Sequence, residues 1–85
     1  MKSKNIKNDN GLNEIYHQNG KIGKKYYKKD GKRDGLYQRW YENGQLRFEG
    51  TYKDGISNGL LRGWKSNGKL DWESTYKGGK LISDN

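Results

Sequence analysis

With 85 residues, 28% apolar content, no cysteine and a formal charge of +8, the chain has room for one thin-cored domain and none for a disulfide framework or thiolate chemistry. A mean hydropathy of −1.43 and a charged fraction of 33% suit a disordered chain, but 13% aromatic content and glycines at regular intervals argue against disorder. Alanine and valine are absent, so rings burying roughly 150–250 Å² each must supply most of the core.

Residues 1–9 are rich in lysine and lack an apolar h-region, so they are expected to be a flexible basic tail and no signal peptide. Apolar runs reach only two residues, as at Leu60-Leu61 and Leu81-Ile82, too short to span a bilayer. With the lack of cysteine, this leads to an expected cytoplasmic location.

From Asn10 onward the chain repeats every 24 residues. Asn10-Gly11, Asp34-Gly35 and Asn58-Gly59 open the units 10–33, 34–57 and 58–81. Asn19-Gly20, Asn43-Gly44 and Asn67-Gly68 sit at their centres, and Asp30-Gly31, Asp54-Gly55 and Gly78-Gly79 near their ends. The second and third units agree at 11 of 24 positions, too many for chance. Within the middle unit, Leu36, Gln38 and Trp40 alternate with Tyr37, Arg39 and Tyr41; Leu46, Phe48, Gly50 and Tyr52 alternate with the polar residues between them. Period two marks strands. The predicted fold is therefore all-β: an antiparallel meander of three β-hairpin repeats, about six strands in one elongated sheet, with 82–85 as a C-terminal tail. Asn43-Gly44 and its equivalents are expected in two-residue type I′ turns, and Asp54-Gly55 with Asn58-Gly59 in a longer link between units.

Even-numbered positions carry Leu36, Trp40, Leu46, Phe48, Tyr52, Leu60, Trp64, Leu70, Trp72 and Tyr76, and are expected to form one apolar face. Trp40, Trp64, Leu46 and Leu70 are expected among the least exposed residues. In the first unit Lys24 and Lys28 replace aromatics, and Tyr26 stands at the Gly50 and Ser74 position. Either a one-residue bulge brings Tyr27 into the tyrosine slot or this unit is a polar cap.

The segments Asp34-Gly35-Leu36, Trp40-Tyr41-Glu42-Asn43-Gly44-Gln45-Leu46, Glu49-Gly50 and Tyr52-Lys53-Asp54-Gly55 resemble the MORN-repeat variant family, which includes the YwqK-type bacterial antitoxins. The resemblance covers residues 10–81, most closely in the second and third units. It implies stacked antiparallel hairpins and a toxin-neutralising or immunity role, and nominates no active-site residue.

Nothing in the residues points to catalysis. His17 is the single histidine, with no second histidine or cysteine to build a zinc site, and reads as a solvated side chain beside a turn. Glu49 and Glu73 are equivalent positions in different units and read as cross-strand partners for basic residues. Neither cofactor nor metal is expected. Charge says more: residues 1–33 hold ten Lys/Arg against three Asp/Glu, whereas 34–85 hold eight against seven. The expected function is a non-catalytic protein-binding module that occludes a partner through Trp40, Phe48, Tyr52, Trp64, Trp72 and Tyr76 and the basic cluster Lys24, Lys25, Lys28 and Lys29. The alternative is a nucleic-acid or anionic-lipid binder working through the basic first repeat. Homo-oligomers through edge strands or the aromatic face, and a structural spacer within a longer array, are further possibilities.

Overall fold

Seven strands run in chain order through one antiparallel sheet: β1 (Gly11–Tyr16), β2 (Ile22–Lys29), β3 (Lys32–Trp40), β4 (Leu46–Lys53), β5 (Ile56–Trp64), β6 (Leu70–Lys77) and β7 (Lys80–Asp84). This is a computed structural model describing residues 4–84; residues 1–3 of the expected tail, and Asn85, lie outside the described residues. Extents of 43 × 35 × 10 Å make the sheet a single layer. Among the described residues no helix is long and apolar enough to cross a membrane.

The all-β meander is as predicted, but it has seven strands and not six. Gly78-Gly79 turns the chain back so that β7 pairs with β6, and Ser74 Oγ donates to Asp84 Oδ1 at 2.8 Å. Residues 82–84, set aside as tail, thus belong to the sheet. At the other edge Ile6 and Glu14 exchange both backbone bonds at 2.8 Å, so part of the expected tail lies along β1. Asn13 explains why. It occupies the position of Tyr37 and Leu61 and is 1% exposed, and its carboxamide is satisfied by the Asn8 backbone at both ends, at 2.6 and 3.0 Å. A buried amide needs such partners, so the N-terminal segment caps the first repeat.

The turns exchange roles relative to expectation. Asp54 and Gly55 have φ of 52° and 83°, and Lys53 pairs directly with Ile56. This is the tight two-residue turn, and the other two Asp-Gly or Gly-Gly pairs share it. At the central turns only the glycine is left-handed. Gly44 N–H donates to Tyr41 O at 3.0 Å and Tyr41 N–H to Gln45 O at 2.9 Å, closing a three-residue loop of a type I turn followed by a left-handed glycine. Asn43 accepts the Gln45 N–H on its side-chain oxygen, a local bond that holds the loop without positive φ at the asparagine. Asn58-Gly59, expected in a linker, lies inside β5.

The expected single apolar face is corrected by the register. Tyr37 faces Gly50 and Arg39 faces Phe48, odd against even, so a face carried by even residues in β4 is carried by odd residues in β3 and β5. Phe48, Tyr52, Trp72 and Tyr76 therefore share one face with Tyr26, Tyr37 and Leu61. Leu36, Trp40, Leu60 and Trp64 lie on the other with Leu46 and Leu70, which pair with the tryptophans across a bulge. Among the described residues the buried apolar side chains are Tyr37 and Leu61, each 6% exposed, while Leu70 is 52% exposed.

Hydrogen bonds repeat with the units. Tyr41 Oη donates to Trp64 O at 2.7 Å, and His17, one repeat earlier, places Nε2 2.9 Å from Trp40 O. A carbonyl only accepts, so Nε2 is the donor. His17 is thus half-buried and structural, and not the solvated side chain expected. Asn19 and Asn43 likewise donate to Glu42 O and Ser66 O at 2.9 Å.

Candidate binding surface

The face carrying Tyr26, Tyr37, Tyr52 and Tyr76, here the tyrosine face, is organised around ring contacts. Tyr26 and Tyr37 stack at 5.1 Å, Tyr37 meets Phe48 edge-on at 5.8 Å and Tyr52 at 5.7 Å, and Phe48 meets Trp72 at 5.9 Å. Two glycines let the larger side chains lie flat across the strands. A Cβ on Gly50 would sit 2.9 Å from Leu61 and 3.0 Å from Phe48, and one on Gly63 would fall inside the Trp72 indole. Over this layer lies the Arg33 guanidinium, 4.7 Å from the Tyr37 centroid, 5.7 Å from Tyr52 and 6.0 Å from Tyr26. Such contacts are worth about 0.5–2 kcal/mol each, depending on desolvation.

Cations gather on this face. Lys24 faces Arg39 and Lys28 faces Arg33, and Tyr26 and Tyr37 lie between the two pairs. Along β1 to β4 the strand positions of this face carry no carboxylate. A recess of about 280 Å³ adjoins the patch, lined by Lys7, Asn8, Asp9, Asn13, Tyr26 and Lys28.

The opposite face, here the leucine face, is ordered differently. A polar ribbon of Glu14, Lys25, Gln38, Glu49, Arg62 and Glu73 crosses it. Arg62 bonds Glu73 at 2.6 Å, the one ion pair among the described residues, and Gln38 donates to Glu49 at 2.8 Å. Glu49 and Glu73 are thus the cross-strand partners expected. Beside the ribbon lie Leu36 and Leu60, 41% and 39% exposed, with Trp40, Leu46, Trp64 and Leu70 toward the central turns.

The residues proposed from sequence as one partner-binding set therefore occupy two surfaces. Phe48, Tyr52, Trp72, Tyr76, Lys24 and Lys28 are on the tyrosine face; Trp40, Trp64, Lys25 and Lys29 are on the leucine face. Lys24 and Lys28 keep the same side because the register shift between β2 and β3 is absorbed on the β3 side, and β2 pairs evenly with β1 from Lys24 to Lys28. Tyr27, offered as the tyrosine of a bulged first unit, is 39% exposed on the leucine face, and Tyr26 makes the ring contacts instead. Sequence reasoning missed Arg33 and Arg39. Their signal is cross-strand pairing with Lys28 and Lys24, which appears only once the register is fixed.

An open, single-layer sheet of hairpin repeats, with side-chain ribbons running across its strands, defines a repeat module. Residues 33–54, which span most of the second repeat, match the family described as MORN repeat variant, in accord with the repeat-family part of the resemblance in the sequence. No curated protein and no solved structure matches the chain significantly.

Proposed function

We propose that this chain is a non-catalytic protein-binding module that docks a partner protein on its leucine face. The observation that carries this reading is the apolar border of Leu36, Leu60 and Leu70, exposed by 39–52% with no second layer above it among the described residues. Half-exposed Trp40 and Trp64 stand beside a ribbon of charged and amide groups. Aromatic anchors next to satisfied polar groups are the anatomy of protein interfaces, and an apolar surface without a covering layer favours association. In the antitoxin or immunity version of this reading, which the family resemblance supports, the partner is a toxin occluded by the sheet.

The test is capture from the native cell extract by photo-crosslinkers at Leu36 or Leu60, followed by titration of the purified captured protein. The reading expects Leu36→Glu/Leu60→Glu to weaken that complex at least tenfold with the fold intact by circular dichroism. Unchanged affinity in the double variant would reject the leucine face as the docking surface.

A further inference from the structure

We infer that the tyrosine face of β2 and β3 is a second, separate binding site, for single-stranded nucleic acid. Lys24 and Arg39 face each other, as do Lys28 and Arg33. Four residues along β2 separate the two cation pairs by roughly 13 Å. Half-buried Tyr26 fills the interval, backed by Tyr37, which is 6% exposed and supports Tyr26 without offering a face of its own. None of the four cations has an ion pair among the described residues. The Arg33 guanidinium rests on the tyrosines and makes no hydrogen bond to the described residues, so its N–H edge is open to a phosphate. Across the sheet from Tyr26 the rings with accessible surface are half-buried Phe48 and, against it, Trp72, which is 37% exposed. Cations that track a backbone beside rings that accept bases of any identity are what single-strand recognition requires.

The same observations select against other anionic partners. A duplex major groove admits a helix or a two-stranded ribbon, whereas this sheet is seven strands broad and flat. An acidic polypeptide would engage the cations and leave the ring track unused. A bilayer would need the basic groups beside exposed apolar ones, but Leu36, Leu60 and Leu70 lie on the opposite face, and Leu81, which shares the tyrosine face, sits in β7 at the far edge from β2 and β3.

The experiment is titration of fluorescent oligothymidylate of about 12 nucleotides with the full chain at about 50 and about 200 mM salt. Two variants remove equal charge from the same two strands: Lys24→Gln/Lys28→Gln/Arg39→Gln on the tyrosine face, and Lys25→Gln/Lys29→Gln/Lys32→Gln on the leucine face. At about 0.7 per phosphate contact, four contacts give a log–log salt slope of about −3, and hence roughly a fifty-fold loss between the two salts. The tyrosine-face variant is expected to lose at least tenfold in affinity and to show a slope near about −1. The leucine-face variant is expected to stay within about threefold, since its charges make no contact. Equal losses in both variants would reduce the effect to net charge, and absence of binding by the wild type at the lower salt would reject the site. Displacement of the oligonucleotide by poly-glutamate of matched length, as readily as by unlabelled oligonucleotide, would reassign the site to an acidic polypeptide. Should the triple variant lose its fold, Lys24→Gln and Arg39→Gln singly, against Lys25→Gln, give the same discrimination.

Discussion

Leu36 and Tyr37 are neighbours in β3, yet Leu36 is 41% exposed and Tyr37 only 6%. The difference belongs to the two faces. On the tyrosine face, glycines at 50 and 63 remove side chains from the middle of the sheet, and neighbouring rings fall across the gaps. A single-layer sheet thereby builds a core from its own surface. On the leucine face the strand positions equivalent to those gaps carry Glu49, Thr51, Arg62 and Glu73, so nothing lies flat and the leucines stay open. Stability is concentrated on the tyrosine face, whose open part is the basic stretch of β2 and β3, and the whole leucine face is left free to bind.

Five substitutions would sharpen or break this division. Tyr37→Ala removes the ring that Tyr26, Phe48, Tyr52 and Arg33 all contact, and should cost about 3–5 kcal/mol in urea unfolding. Leu36→Ala, next door, should cost about 1–2 kcal/mol, the scale of a side chain already 41% exposed. Similar losses at the two positions would dissolve the distinction between the faces. Next in size is Gly63→Ala, whose methyl group must displace Trp72; about 1–3 kcal/mol is expected, with a shift in the tryptophan emission. Gly55→Ala tests the tight turn, because φ of 83° at a residue with a Cβ costs about 1–2 kcal/mol by thermal melting. The smallest effect is expected at Tyr41→Phe, which deletes only the phenol bond to Trp64 O and should cost about 0.5–1.5 kcal/mol.

The repeat and the strand alternation were legible because both are local: glycine spacing and period two need no knowledge of partners. So was the split of Lys24 and Lys28 from Lys25 and Lys29, which follows from alternation within β2. The identity of the core was lost at the turns. Carrying even numbering from β3 into β4 grouped Leu36 with Phe48, although the ladder sets Leu36 against Thr51 and Phe48 against Arg39. Asn-Gly signals a tight hairpin as strongly as Asp-Gly does, and only the bonds that Asn43 makes to Gln45 and Ser66 show why it serves the longer loop. The N-terminal cap was hidden for a similar reason. Asn13 at a core position looks like a defect until the Asn8 backbone is placed beside it.

The account rests on the pairing of odd with even residues between β3 and β4, and the chain has no cysteine to obscure a direct test. Gln38→Cys/Glu49→Cys puts thiols on directly facing residues of one face, within the Cα separation that a disulfide needs. Gln38→Cys/Phe48→Cys puts them on opposite faces. The account predicts that mild oxidation closes the first pair within the monomer and leaves the second as free thiols, read by mass and thiol titration. Efficient closure of Cys pairs at 38 and 48, with 38 and 49 left open, would contradict it.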